Sequence, residues 1–271
     1  MVHFVVALQA EAKPLMDHFG LRRRTGGAFP VFENEHVALI VSGMGKVAAA
    51  AATGYLHAQT GNRACRAWLN IGIAGHGRRA IGDGVLVHKI TDQITGRSWY
   101  PPLTFELPCA SDDLISVDEP ETKYRKNGLY DMEAAGFYAT ACRFTTAELV
   151  HCYKVVSDNL ASSTGDINAR NVRALIEKRL DAIDILTQTL RALAARLAEF
   201  QSDPRELARF LKHWRFTVSE QHQLRRLLLH WQARSAETVW SDELAALPSA
   251  NKALRHLNRE LDALPIEYSC T

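Results

Sequence analysis

The sequence predicts an α/β protein with a largely parallel sheet, followed by a C-terminal segment that is all helical. Short apolar runs rich in β-branched residues, at 3–8 and 150–156 for example, alternate with segments of helical periodicity such as 46–57. This alternation is typical of β–α–β units, which build parallel sheets. After residue 200 there is no glycine and every segment has helical periodicity, which indicates a separate appendage.

Most of the predicted strands lie in the first ninety residues. The first strand is followed by an acidic helix start with Pro14 in its first turn, where proline is tolerated. A helix at 46–57 is entered from Gly43 and Gly45, and a second glycine pair follows the strand at 68–71. The strands predicted in this part are 3–8, 31–32, 37–41, 68–71 and 84–90.

The rest of the α/β region is predicted to contain a loop, two helices and a strand. Residues 92–128 contain many polar residues, prolines and a charge run, and we expect them to form a long loop region at the active site. A helix at 132–144, the strand at 150–156 and one long helix at 168–200 follow. We therefore expect an α/β domain at 1–200 and a helical domain at 201–271.

The helical appendage begins after a stop and start signal at 201–204. Its ten Lys/Arg and nine Asp/Glu residues nearly balance, so it lacks the basic footprint of a nucleic-acid-binding arm. We therefore favour packing or an oligomer contact over nucleic-acid reading. Its predicted helices are 206–214, 219–232, 242–247 and 251–264, and the apolar residues expected to form a small core or to dock on the α/β domain are Trp214, Leu227, Leu228, Trp231 and Trp240.

Composition limits the class of protein. The chain of 271 residues is 47% hydrophobic and 23% charged, as in ordinary globular proteins, and its formal net charge of +2 gives no case for nucleic acid or an anionic membrane. No apolar run approaches the roughly 18 residues needed to span a bilayer, and His3 interrupts the short N-terminal one. Five scattered cysteines, none in a C-x-x-C pair, argue against a zinc site and a disulfide framework. We expect a soluble, cytoplasmic protein.

Four motifs in fixed order, and a fifth after them, carry the candidate chemistry. Three of them deliver carboxylates, Glu11, Glu133 and Asp158, to junctions between a strand and a helix. Such junctions meet at the carboxyl ends of the strands, where α/β proteins bind ligands. Converging carboxylates are what the cleavage of a glycosidic bond requires. The motifs are Ala-Leu-Gln-Ala-Glu at 7–11, Ser-Gly-Met-Gly-Lys-Val-Ala at 42–48, Asn-Ile-Gly-Ile-Ala-Gly at 70–75, Asp-Met-Glu-Ala-Ala at 131–135 and Val-Ser-Asp at 156–158.

Together these motifs resemble those of the nucleoside phosphorylase and nucleosidase superfamily, above all its 5′-methylthioadenosine/S-adenosylhomocysteine nucleosidase branch. The resemblance covers roughly residues 3–195. It implies a phosphorylase/hydrolase-like three-layer sandwich with a mixed central sheet. It also implies cleavage of the N-ribosyl bond of a purine-type nucleoside by a homo-oligomer, without a metal or organic cofactor.

The resemblance also implies a role for each matching residue. Glu11 matches the glutamate that activates the attacking water, and Asp158, in its Ser157-Asp158 pattern, matches the aspartate that donates a proton to purine N7. Glu133 matches the glutamate that grips the ribose 2′- and 3′-hydroxyls. The remaining matches are Met132, which packs on the sugar, Met44, which lines the pocket for the 5′ substituent, and Ala74 and Gly75, whose backbone borders the base and nucleophile.

The chain departs from the superfamily at two places. Phosphorylases carry an arginine where this chain has Asn70 and a serine or threonine where it has Ile73, both for phosphate. Hydrolysis is therefore favoured, although Arg22–Arg24, Arg78–Arg79 or Lys46 remain candidates for an anion. The nucleosidases' Gly-Asp-Ala-Phe segment, whose phenylalanine stacks on the base, has no clear counterpart. Candidates for the stacking face are Trp99, Tyr100 and Tyr124, and simple loop packing is as good an explanation for Trp99 and Tyr100.

Three functions are therefore open. The first is hydrolysis of a purine-type nucleoside to free base and a ribose derivative. The second is phosphorolysis of a modified nucleoside, with phosphate as co-substrate. The third is a non-catalytic ligand-binding or scaffold protein that retains the fold and works through its helical tail.

Overall fold

The computed structural model describes residues 1–61, 65–161, 168–201 and 203–264. The chain divides into two compact units, Met1–Ala198 and Glu199–Thr271. The described residues of the first unit form ten strands, and helices pack around them. The second unit is helical.

The N-terminal half of the sheet is built on parallel strands. Strand β1 (Val2–Val6) pairs in parallel with β4 (Val37–Val41) on one side and with β5 (Ala67–His76) on the other. Two antiparallel strands, β2 (Arg22–Arg23) and β3 (Val31–Glu33), extend this edge. All five residues of β1 are buried, His3 among them, as expected for a parallel strand covered on both sides.

The other half of the sheet closes on itself. Strand β5 pairs in parallel with β10 (Val150–Asp158), which pairs antiparallel with β6 (Gly84–Asp92). From β6 the sheet continues in parallel through β8 (Ala110–Ser116) and β9 (Leu129–Asp131), and β9 returns antiparallel to β5. A short strand, β7 (Ser98–Trp99), flanks β6. The central sheet is therefore mixed.

Helices cover both faces of the sheet. One layer contains α1 (Gln9–Phe19), α4 (Ala169–Glu177) and α5 (Leu180–Gln201), whose apolar side chains pack with Phe4 and Leu69. The other layer contains α2 (Lys46–Thr60) and α3 (Ala134–Ala141), which pack with Val5 and Trp68. Neighbouring residues of β1 thus face opposite layers, as the two-residue period of a strand requires. The α/β class and the three-layer sandwich with a mixed sheet are confirmed.

Three predictions about individual elements are wrong. The region 92–128 is not one loop, because it contains β7 and β8. The sequence of β8 hides the strand, since Asp112 and Asp113 disfavour sheet by propensity but are paired here with Arg79 and Lys89. The segment 168–200 is two helices rather than one. Pro14 lies inside α1 and not in its first turn.

The break between α4 and α5 has a tertiary cause. The segment contains no glycine or proline that would predict it. Helix α4 ends at Glu177 with Lys178 as its C-cap, and the next residue, Arg179, donates from Nε to the carbonyl of Gly82 at 2.6 Å. This bond joins the helix junction to the turn before β6, and the hydrophobic periodicity of residues 168–200 could not predict it.

The second unit has its own apolar core. Its helices are α6 (Leu207–His213), α7 (Val218–Arg234), α8 (Asp242–Ala245) and α9 (Ala250–Ala263). Trp214, Leu227 and Leu228 are buried in this core, and Trp231 and Trp240 pack against it. Thr217 caps α7 by accepting from the backbone N–H of Glu220, which returns the bond in a capping box. The aromatic residues of the appendage therefore form a small core.

No helix in the described ranges has the length and apolar character needed to cross a membrane. Four cysteines, Cys65, Cys109, Cys142 and Cys152, are free thiols. The fifth, Cys270, lies outside the described residues.

Candidate active site

A cavity of about 140 Å³ lies where several strands of the first unit end. The parallel strands β1, β4, β5 and β10 all point their carboxyl ends to this side of the sheet, where α/β folds bind ligands. The structure brings all eight residues singled out in the sequence to its wall: Glu11, Met44, Ala74, Gly75, Met132, Glu133, Ser157 and Asp158.

Glu11 is held by the backbone at the start of α1. Its Oε2 accepts from the N–H groups of Ala7 and Leu8 at 3.0 and 2.8 Å, and its Oε1 accepts from the N–H of Ile73 at 2.9 Å. Burial raises the pKa of Glu11, and the hydrogen bonds from Ile73 and Leu8 oppose that rise. The side chain is only 2% exposed, so its oxygens are fixed in place beside β5.

Glu133 connects the second motif to the fourth. Its Oε1 accepts from the N–H of Gly45 at 2.8 Å. Gly45 has a φ of 98°, which only glycine adopts readily, so this residue type allows the backbone to present its N–H to the carboxylate. Burial and the neighbouring charge of Asp131 raise the pKa of Glu133 to about 7, against the opposing effect of Lys154.

A buried ion pair lies behind the carboxylates and was missed in the sequence. Lys154, 1% exposed, lies 2.8 Å from Oδ2 of Asp131. Asp131 also accepts from the hydroxyl of Ser116 and from the N–H of Ala134. Burial alone would lower the pKa of Lys154, but the charges of Asp131 and Glu133 outweigh it and raise the pKa. The ammonium form thus compensates charge beneath the cavity.

The sequence did contain a signal for this lysine. Lys154 is the one Lys, Arg, Asp or Glu before Asp158 in β10, where the residues up to Val156 are otherwise apolar or aromatic apart from His151. A charge in a strand that is buried on both faces needs a partner, because an isolated buried charge is very unfavourable. Its partner Asp131, in the fourth motif, is 23 residues earlier and depends on the sheet for its position.

Asp158 is directed into the cavity by an irregularity in β10. Val156 pairs with Ala74, but Asp158 pairs with Gly75, so Ser157 is the extra residue of a bulge. The hydroxyl of Ser157 donates to Oδ1 of Asp158. The hydroxyl of Tyr124 donates to Oδ2 of the same carboxyl. Asp158 is 4% exposed, and each of its carboxyl oxygens has a hydroxyl partner.

The remaining predicted residues shape the walls. Met44 is 67% exposed at the cavity's mouth, whereas Ala74 and Gly75 are buried in β5. Asn70 does not face the cavity, because its Nδ2 donates to the carbonyl of Val5 at 2.9 Å and it holds β5 to β1. Ile73 lines the cavity with an apolar side chain.

The cavity is acidic. Five carboxylate side chains line it, and none of the described lining residues is a lysine, arginine or histidine. None of the cations considered for an anion lines the cavity, and three of them have acidic partners: Arg24 pairs with Glu33, Arg79 with Asp112, and Lys46 with Asp92 and Asp118. The lining residues that the structure describes therefore offer a phosphate no cationic side chain.

Two of the three aromatic candidates for a stacking face lie away from the cavity. Trp99 packs at an angle on Tyr138, with the guanidinium of Arg97 5.0 Å from the centre of its ring. Tyr100 is 67% exposed. Tyr124 alone reaches a proposed catalytic group, by its bond to Asp158. Within the described part of the chain, no group of three His, Cys, Asp or Glu side chains is placed to hold a metal ion.

No protein-family model matches the sequence, and no curated protein matches it. Solved structures do match. An MTAN mutant from Helicobacter pylori with 5′-methylthioadenosine in the active site has a TM-score of 0.55 and 13% identity, over 68% of this chain and 97% of that chain. Arabidopsis thaliana 5′-methylthioadenosine nucleosidase in apo form has a TM-score of 0.54 and 19% identity, over 71% and 95%.

A third match is the 5′-methylthioadenosine/S-adenosylhomocysteine nucleosidase from Neisseria meningitidis in complex with methylthio-immucillin-A. It has a TM-score of 0.53 and 19% identity, over 67% of this chain and 97% of that chain. At these identities the matches establish the fold. The chain has the fold of the 5′-methylthioadenosine/S-adenosylhomocysteine nucleosidases, as the motifs predicted.

Proposed function

We propose that this protein cleaves the N-ribosyl bond of a purine-type nucleoside by hydrolysis, releasing free base and a ribose derivative. The observation that carries the proposal is the acidic cavity, where Glu11, Glu133 and Asp158 converge from three distant parts of the sequence. Breaking an N-ribosyl bond builds positive charge on the sugar and negative charge on the base. Carboxylates around the sugar stabilise its positive charge, and an acid at the base neutralises the negative charge of the leaving group.

Asp158 and Glu11 are the proposed acid and base. Glu11 bonds to the N–H of residue 73 and Asp158 pairs with residue 75, two residues along β5. The two carboxyls therefore reach the cavity from neighbouring positions along β5, and a sugar carbon and its attacking water would lie between them. Asp158 donates a proton to the departing base, while Glu11 takes one from the attacking water. Each role contributes roughly 10²–10⁴ in rate.

Glu133 is the proposed ribose ligand. A carboxylate has room for about four hydrogen bonds, and Glu133 uses Oε1 for Gly45 and a longer bond at Oε2 for the N–H of Met132. The free lone pairs accept from two adjacent hydroxyls. Around the sugar, Met132 packs on the ring and the exposed Met44 borders the 5′ substituent. Ala74 and Gly75 border the base.

Hydrolysis is preferred to phosphorolysis because of charge. A phosphate dianion beside five carboxylates would be strongly repelled unless cations bound it, and the described lining residues supply none. Water needs no such compensation. The names of the matched structures point to 5′-methylthioadenosine as the first substrate to try.

The full chain should be incubated with 5′-methylthioadenosine and with adenosine, with and without phosphate, and free adenine measured by chromatography. We expect adenine and a reducing sugar at the same rate in both buffers. Release that requires phosphate and yields a sugar phosphate would assign phosphorolysis. Absence of base from every purine nucleoside, with Asp158→Asn giving the same background, would support a non-catalytic role.

We also propose that the protein works as a homo-oligomer. Met44 and Val47, 67% and 84% exposed, place two large apolar side chains near the mouth of the cavity. Contact with another subunit would remove this apolar surface from water. Light scattering after size-exclusion chromatography measures the mass, and a monomer at assay concentration would contradict the proposal.

A further inference from the structure

The segment 118–128, called the strap here, crosses the surface beside the cavity and inserts one side chain. Most of its residues are exposed, including the two neighbours of Tyr124, Lys123 and Arg125. Tyr124 is 9% exposed. Two other residues of the strap, Pro120 and Glu121, line the cavity, and Tyr124 lies behind the lining residues Gly75 and Asp158. Tyr124 is thus the buried side chain of the strap that bonds to Asp158.

That phenol occupies the place where Asp158 would meet a ligand. The hydroxyl of Tyr124 donates to Oδ2 of Asp158. A methyl group added to Gly75 would lie 2.6 Å from the Tyr124 hydroxyl oxygen and 2.9 Å from Asp158 Oδ2. The phenol and the carboxyl therefore meet directly over the backbone of Gly75, which lines the cavity. A flat base bonded to the same oxygen over Gly75 would overlap the phenol.

The strap has fixed ends and a strained middle. Near its first end, Asp118 is paired with Lys46 at 2.7 Å. Near its other end, the hydroxyl of Tyr130 accepts from the N–H of Lys126 at 2.9 Å. Tyr124 itself has a φ of 42°, in the left-handed region that a bulky residue adopts only when other contacts hold it there. Release of the phenol would relieve this strain while the ends stay attached.

We propose that Tyr124 is a latch that competes with the leaving base for Asp158, so that a substrate must displace the phenol before Asp158 can reach it. This inference rests on the proposed function, because it takes a purine base to be the competing group. Tyr124 thereby sets the affinity of the site. It favours bases whose own hydrogen bond to Asp158 replaces the one that is lost.

The test removes only the hydroxyl. In Tyr124→Phe the ring remains but its bond to Asp158 is gone, so the Kd for free adenine, measured by calorimetry on the full chain, should fall about tenfold or more. Tyr55→Phe is the matched control. It also removes one hydroxyl bond, that from the N–H of Ala28 at 3.2 Å, at a distance from the cavity lining, and its Kd should equal that of the wild type.

The gain should depend on Asp158. In the Asp158→Ala background the same substitution should change the Kd less than about twofold, because neither the phenol nor the base then has a carboxyl to bond to. If Tyr124→Phe binds adenine no more tightly than the wild type, or neither binds it, the latch is wrong. A variant that binds more tightly, beside a wild type that releases no base from any nucleoside, would keep the latch and reject the proposed function.

Discussion

Replacing Asp158 by asparagine separates the proposed proton donation from the place of this side chain in the fold. Asparagine has nearly the same shape but no acidic proton, so turnover of a purine nucleoside should fall about 10²–10⁴-fold. This corresponds to roughly 3–5 kcal/mol in the activation barrier.

The effect on stability should be far smaller, for a reason visible at the site. Both partners of Asp158 are hydroxyls, from Ser157 and Tyr124, and a hydroxyl can turn to accept as well as to donate. The asparagine side chain therefore keeps both contacts, because its oxygen accepts from one hydroxyl and its amide N–H donates to the other. We expect a loss of about 1 kcal/mol in unfolding free energy. That is a Tm decrease of about 2–4 °C for a unit of this size.

The assay compares two leaving groups. Adenine release from 5′-methylthioadenosine is measured beside nitrophenol release from 4-nitrophenyl riboside, which leaves without needing a proton. The variant should lose most of the first activity and little of the second, with Tm measured on the same preparations. Equal losses would remove Asp158 from the role of acid, and a much larger fall in Tm would attribute the loss to unfolding.

Two further perturbations test the other carboxylates. Because the pKa of Glu133 is raised to about 7, kcat/KM should increase about tenfold from pH 6 to 8 as Glu133 ionises, and Glu133→Gln should remove that dependence. Because the folded state holds the proton of Glu133 more tightly than the unfolded state does, the contribution of Glu133 to the free energy of unfolding should decrease as pH rises from 4.5 to 7. Thermal unfolding of the wild type and of Glu133→Gln across this pH range measures it. In Gly72→Ala the new methyl would lie 2.8 Å from Oε1 of Glu11, so kcat should fall about 10²-fold through misplacement of the carboxylate. Gly54→Ala, which has open space, is the control, and an unchanged kcat for Gly72→Ala would contradict the assignment of Glu11.

The elements predicted well are those whose signal is local. Strands β1 and β4 are short apolar runs, and α2 follows a glycine pair, so the hydrophobic periodicity and the glycines that bound the elements were sufficient to place them. Strand β8 was missed because its acidic residues look like loop until Arg79 and Lys89 are placed beside them. The break between α4 and α5 was missed for the same reason, since Arg179 bonds to a carbonyl 97 residues away.

The sequence by itself determined that Glu11 and Asp158 meet. They follow or end the parallel strands β1 and β10, and the carboxyl ends of parallel strands share one edge of a sheet. Glu133 follows β9, which runs antiparallel to β5, so its place beside them depends on the closure of the sheet. Tertiary structure alone decided what surrounds them. The closure of the sheet brings Lys154 to Asp131. The strap brings Tyr124 to Asp158, and the sequence of the strap has no hydrophobic periodicity that would predict this contact. Periodicity fixes the side of an element on which a residue lies, but the partner across a cavity depends on how separate elements pack.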